Sequence, residues 1–230
     1  MVIPVPPQRN PEPPAAGKAR PRDAMRPAPA VLLGRDAELA QLVEAFQGDR
    51  WVAVVGEAGI GKTSLVRAAL ASCGRRAFEG GGFATLAWMP YLALSRAVGR
   101  PIGGDASQAA AAVERETGPG ILFVDDLQWV DPASRDALER LAGRVMVVAA
   151  IREGDPDAAE AIALLGRANA ELVPLASLAA AEAAAIVRRI RPDASPTAVA
   201  DAVRRGAGNP LLLEEIARTG ASSGVLGRTL

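Results

Sequence analysis

The 230-residue chain contains no histidine. A Ser-His-Asp triad, a histidine base and a histidine metal site are therefore excluded within it. There is one cysteine, Cys73, so neither an internal disulfide nor a cysteine-cluster zinc site can form. Cys73 precedes Gly74 at a predicted helix end and reads as a packing residue. Aromatic residues make up only 3%, which leaves Ala, Val, Leu and Ile to build the core. Net charge is also absent, because 26 Lys and Arg balance 26 Asp and Glu. That removes any global pull toward nucleic acid or an anionic membrane. The pairs Arg75-Arg76, Arg188-Arg189 and Arg204-Arg205 read as solvated ends of elements rather than as a basic patch. No apolar run approaches the roughly 20 residues of a membrane span, and no basic-then-apolar order suggests a secretion signal. The expectation is a cytoplasmic, reducing setting without a membrane partner.

Proline is plentiful at one end, with nine in the first thirty residues. Such a segment cannot sustain helix hydrogen bonds and has little to bury, so residues 1–30 are expected to form a disordered or polyproline tail. From Val31 the composition changes. In VLLGRDAELAQLVEAF, Leu39, Leu42, Val43 and Phe46 fall at helical spacing after Asp36, a candidate cap. WVAVV, GILFVDD, RVMVVAAIR and ELVPL read as strands, and RRAFEG as a weaker one. Pro174 places ELVPL at a sheet edge. Helical segments separate these strands. Strands alternating with helices predict a parallel sheet covered on both faces. After Leu175 only helices follow: AAAEAAAIVRRI, SPTAVADAVRRG and NPLLLEEIARTG. The expected organisation is an α/β core over 31–176, a helical subdomain over 177–220 and a short tail over 221–230.

GEAGIGKTS, Gly56 to Ser64, follows directly on WVAVV. It fits the phosphate-cradling pattern G-x-x-x-x-G-K-[ST], framed by a strand before and a helix after. A polyphosphate needs donors on many sides. Glycines at 56, 59 and 61 let the loop curl so that its N–H groups point inward. The following helix adds the partial positive charge of its N-terminus. Candidate nucleotide contacts are thus Gly56, Glu57, Ala58, Gly59, Ile60, Gly61, Lys62, Thr63 and Ser64. Lys62 would neutralise the β/γ phosphates and Thr63 would ligate Mg²⁺. ILFVDD ends a strand with two acids. Ligands of parallel sheets bind at the carboxyl ends of strands, so a neighbouring strand is expected to bring Asp125 beside the loop. Asp125 is the candidate Mg²⁺ holder, with Asp126 orienting the attacking water. A structural alternative is that the acids end the strand and cap the next turn. Arg152 ends the following strand and either reaches a γ-phosphate or sits on the surface.

The order GRDAEL, GEAGIGKTS, DDLQWVDPAS and GNPLLLEE resembles the STAND branch of the AAA+ P-loop ATPases. It is most similar to the ATPase domain of large LuxR-type bacterial transcriptional regulators, including the maltose regulator, over residues 31–218. The resemblance implies a three-layer P-loop core followed by a helical lid, with ATP or ADP and Mg²⁺ as cofactors. It implies that Gly34 and Arg35 cover the adenine, Lys62 and Thr63 hold phosphate and metal, and Asp125 and Asp126 form the Walker B pair. Arg152 matches the sensor of the γ-phosphate. In GNP, Gly208 and Pro210 match a motif whose proline contacts the base. Read without the family, GNP is a turn before a helix. Gln128, Trp129 and Asp131 match the turn after the acids. No Asn/Thr-Lys-x-Asp guanine signature is present. Where many fast AAA+ motors have Glu, this chain has Asp126, so slow turnover is expected.

The resemblance implies that nucleotide acts mainly as a signal, with protein partners or self-association. The sequence stops at Leu230 without the sensor and helix-turn-helix parts of such regulators, so direct DNA binding is not expected of it. The leading reading is an ATP-binding, weakly hydrolysing regulatory switch. The alternatives are a hydrolysis-dead nucleotide-binding interaction module and a small-molecule kinase.

Overall fold

The computed structural model describes residues 32–220. The tails expected over 1–30 and 221–230 lie outside the described residues. Five strands form one sheet: β1 (Val52–Gly56), β2 (Ala77–Gly81), β3 (Ile121–Asp125), β4 (Met146–Arg152) and β5 (Glu171–Pro174). The order is β2-β3-β4-β1-β5 and every pairing is parallel. The expected α/β class is the class found. The weak candidate RRAFEG is an edge strand, and ELVPL forms the opposite edge with Pro174 beside Val55.

The β-branched residues of the central strands are buried on both sides, as a doubly covered parallel sheet requires. Side chains alternate between the faces. Val52, Val54, Phe123, Val148 and Ala150 pack toward α1 (Asp36–Ala45) and α2 (Lys62–Ser72), where Leu42, Phe46, Leu65 and Val66 meet them. Ala53, Leu122, Val124, Val147 and Ala149 face the other layer. That layer comprises α3 (Leu92–Val98), α4 (Ala106–Thr117), α5 (Pro132–Glu139) and α6 (Ala158–Arg167). Trp51 is buried just before β1, and its indole N–H donates to the Val145 carbonyl at 3.0 Å. A buried tryptophan needs such a partner for its single donor.

Three further helices, α7 (Ala180–Ile190), α8 (Pro196–Gly206) and α9 (Pro210–Thr219), pack on one another around Ile186, Val187, Val199 and Leu213. Their starts are written in the sequence. Ser195 caps α8 and Asn209 caps α9 through their side-chain oxygens, with proline at the first position of each helix, a combination that satisfies free N–H groups where proline has none to offer. Among the described residues no helix is long and apolar enough to cross a membrane.

Two local expectations change. Helix α1 starts at Asp36 itself, with Arg35 at the cap position and no side-chain capping bond. Asp36 serves instead as an acid in the first turn, favourable against the helix dipole. Arg75 is not merely solvated: its guanidinium donates to the carbonyls of Phe46, Pro119 and Gly120, at 2.8, 2.9 and 3.2 Å. It thereby ties the end of α1 to the turn before β3.

Candidate nucleotide site

The sheet order corrects one step of the sequence argument. β3 does not neighbour β1, because β4 lies between them. Asp125 still reaches the loop, because α2 starts above the carboxyl edge of the sheet. The Thr63 hydroxyl donates to the Asp125 carboxylate at 2.9 and 3.1 Å. The helix start therefore spans the intervening strand, whose last residue, Arg152, is in register with Gly56. The carboxyl ends of three strands thus converge: Gly56 from β1, Arg152 from β4 and Asp125 from β3.

The loop is fixed at its middle and open at its rim. Ile60 is buried in the α1–α2 layer, while Glu57, Ala58 and Ser64 are exposed. Gly59 has φ +75°, and an added Cβ would lie 2.9 Å from the Leu211 side chain. Only glycine combines that backbone with so close an approach. Lys62 is buried, and its ammonium donates to the carbonyls of Gly56 and Glu57 at 2.9 and 2.7 Å. Burial lowers its pKa, and the nearby Arg152 pushes the same way, while Asp126 and Asp125 oppose the shift. Burial raises the Asp125 pKa, offset in part by the Thr63 hydrogen bond and reinforced by the neighbouring Asp126 charge.

These groups fit a nucleotide polyphosphate with Mg²⁺. Curled backbone donors, one lysine and a hydroxyl–carboxylate pair are what such a ligand requires. Mg²⁺ is usually held by one or two carboxylates together with phosphate and water, rather than by an all-protein cage. Among the described residues no group of three or more His, Cys, Asp or Glu is placed to hold a metal.

Beyond Asp125 the chain makes a tight polar turn. Asp126 has a left-handed backbone, φ +46°, uncommon for a non-glycine residue. A short 3-10 turn over Leu127–Trp129 follows. Gln128 is buried and joins two elements: its amide N–H donates to Asp126 Oδ1 at 3.0 Å, and its Oε1 accepts the backbone N–H of Arg152 at 3.1 Å. The Arg152 guanidinium lies 4.5 Å from the centre of the Trp129 ring and 3.9 Å from Asp126 Oδ1. Asp131 is buried; it caps α5 through Ser134 and accepts the backbone N–H of Tyr91 at 3.1 Å.

The helical cap meets the loop from above. Asn209, which the sequence reading passed over in favour of Gly208 and Pro210, donates its amide to the Ala58 carbonyl at 2.8 Å. The Leu211 N–H donates to the Gly59 carbonyl at 3.3 Å. An Asn–Pro pair at a helix start was the available signal, but it announces only the cap. Gly208 supplies its carbonyl to Leu178 N–H at 2.9 Å, and Pro210 occupies the first turn of α9. On the other side, the Arg35 guanidinium donates to the Ala176 carbonyl at 2.6 Å, and a Cβ on Gly34 would meet Glu182 of α7 at 2.3 Å. Gly34 and Arg35 therefore lie at the seam between core and cap.

Comparison with known proteins places this geometry. Residues 31–119 match the AAA ATPase domain family, a span that holds the loop and stops short of Asp125. No curated protein matches the chain significantly. Among solved structures, the Aeropyrum pernix ORC1 protein in complex with DNA is similar at 20% identity with a TM-score of 0.59, covering 84% of this chain and 63% of that one. A Pyrococcus horikoshii STAND protein with a tetratricopeptide-repeat sensor is similar at 22% identity and TM-score 0.51, covering 88% of this chain and 32% of its own. The Thermotoga maritima RuvB Holliday junction branch migration motor is similar at 15% identity and TM-score 0.54, covering 79% of this chain and 58% of its own. The chain spans less than two thirds of each of these proteins. At these identities the likeness is one of fold, an α/β P-loop NTPase fold.

Proposed function

We propose that this chain is an ATP-binding, slowly hydrolysing regulatory switch of the STAND type. In this reading nucleotide at Gly56–Ser64 sets how the α7–α9 cap sits on the core. The observation that carries it is the direct bonding of cap to loop: Asn209 to the Ala58 carbonyl and Leu211 to the Gly59 carbonyl. A ligand that reshapes the loop acts on α9 without an intermediary, and differential contact with two arrangements is the thermodynamic requirement for a switch. Lys62 would bind the β/γ phosphates, Thr63 and Asp125 would hold Mg²⁺, and Arg152 would meet the γ-phosphate. Asp126 would orient water. Slow turnover is proposed because Asp126 stands where many fast AAA+ motors have the longer Glu. Gly34, Arg35 and Pro210 would border the base.

The ATPase module of LuxR-type regulators is the specific relative proposed, with another protein or a second copy of the chain as partner in the cytoplasm. The test is Mg²⁺-ATP turnover across protein concentrations, beside Lys62→Ala. Turnover per chain that rises with concentration and is lost in the variant supports an ATPase acting through self-association. ATP binding without turnover makes the chain a nucleotide-holding interaction module. Unchanged affinity in Lys62→Ala would sink the site assignment.

A further inference from the structure

We propose that Trp129 is a positioning residue that holds the Arg152 guanidinium against its indole ring, so that the ring and the γ-phosphate compete for one guanidinium. The proposal rests on the reading of Gly56–Ser64 as the ATP site and adds to it how ATP is told from ADP.

Four observations converge on Arg152. Its guanidinium stands 4.5 Å from the Trp129 ring centre, the arrangement in which a ring quadrupole attracts a cation, most strongly for tryptophan. Its Nε is buried and has no hydrogen-bond partner. A buried unpaired donor carries a desolvation cost and gains by moving to an acceptor. Its charge lies 3.9 Å from Asp126, long for a settled ion pair. Its backbone, by contrast, is fixed: the N–H is bonded to buried Gln128 and the residue closes β4 in register with Gly56. The main chain is held while the side-chain head sits on a face it can leave.

Gln128 keeps the other half of the arrangement still. Its amide holds Asp126 while its carbonyl oxygen holds the end of β4. Departure of the guanidinium toward a γ-phosphate would uncover Asp126 without displacing it. ADP offers no γ-phosphate and leaves Arg152 on the ring. In this proposal ATP binding breaks the ring contact and ADP binding does not. Removing the ring lowers the cost of ATP binding alone.

The test measures affinities of Mg²⁺-ADP and of a slowly hydrolysed Mg²⁺-ATP analogue for wild type, Trp129→Phe and Trp129→Leu. The expected result is tighter analogue binding by about 2- to 30-fold in Trp129→Leu, the range that an ordinary ring–guanidinium contact represents. Trp129→Phe should fall between it and wild type, and ADP affinity should barely move. A second readout is tryptophan emission, which should change with the analogue and not with ADP, and lose that difference in Trp129→Phe. A purely structural role for Trp129 would shift both nucleotides together, and that outcome overturns the proposal. Weaker analogue binding in the variants overturns it as well. Absence of nucleotide binding in wild type would instead overturn the site reading itself and the proposal with it. Should Trp129→Leu fail to fold, the Trp129→Phe affinities and the emission difference decide alone.

Discussion

Phe123 and Leu213 are both fully buried, one in β3 of the sheet and the other among α7, α8 and α9. Phe123 belongs to a layer that includes strand residues from β1, β3, β4 and β5 and helix residues from α1 and α2. Leu213 belongs to a cluster of eight buried residues, three of them alanine, so each large side chain there carries more of the packing. Polar contacts divide the same way. The core is laced by the parallel ladder, whereas the cap reaches the loop through Asn209, Leu211 and few other bonds. In the proposed reading the sheet is the fixed reference and the cap the element that nucleotide moves. Local stability differs across proteins in this manner, and moving parts come from the weaker end.

The comparison breaks most visibly when either of those two side chains is cut back. Phe123→Ala should cost about 3–5 kcal/mol and lower the denaturant midpoint of the whole described fold. Leu213→Ala, at about 2–5 kcal/mol, should open the cap first: amides of α7–α9 exchange faster while β1, β3 and β4 stay protected. Simultaneous loss of protection in both regions would contradict the division.

Asn209 sharpens it further. Asn209→Ala removes both the α9 cap and the tie to Ala58, with a loss of about 1 kcal/mol expected for the cap. Asn209→Asp keeps a capping oxygen and loses only the amide donor. It should preserve α9 yet weaken the response of the cap to nucleotide, read by limited proteolysis over 170–215.

Asp125 tests the core side of the site through pH. Its folded pKa is raised by burial, so the folded protein keeps that proton to higher pH than the unfolded chain. Stability from this group is then complete below the ordinary carboxylate value and is lost as pH rises through the raised one. Asp125→Asn should accordingly raise the nucleotide-free thermal midpoint at neutral pH, and the gain should vanish in acid. The smallest effect is expected at the exposed Arg144–Glu114 pair. Arg144→Ala should change stability by no more than about 1 kcal/mol, within a denaturant series and without effect on nucleotide affinity.

The strands were legible because buried parallel strands are short apolar runs, and WVAVV and ILFVDD are unambiguous ones. Their lateral order was not, since pairing of β1 with β4 rather than β3 depends on contacts far apart in the chain. The strand-end position of Asp125 marks it in the sequence, while the Thr63 contact brings it to the loop across an intervening strand. Asn209 carries no role in the sequence, and Gln128 is marked there only by the resemblance, without a role, for a common reason. An uncharged amide has no sequence pattern of its own, and its role comes from which two backbones the fold brings to its two ends. Trp129 is likewise marked only by the resemblance, and its contact arises where the fold sets Arg152 over its ring.

The central claim is that nucleotide at the loop moves the cap. Its most direct test is hydrogen exchange of α7–α9 in the wild-type chain, saturated either with Mg²⁺-ADP or with a slowly hydrolysed Mg²⁺-ATP analogue. The account predicts different protection of α9 and of Leu178–Ala183 in the two states, with the sheet unchanged. Equal protection with both nucleotides bound would contradict it and leave the cap a fixed part of the fold.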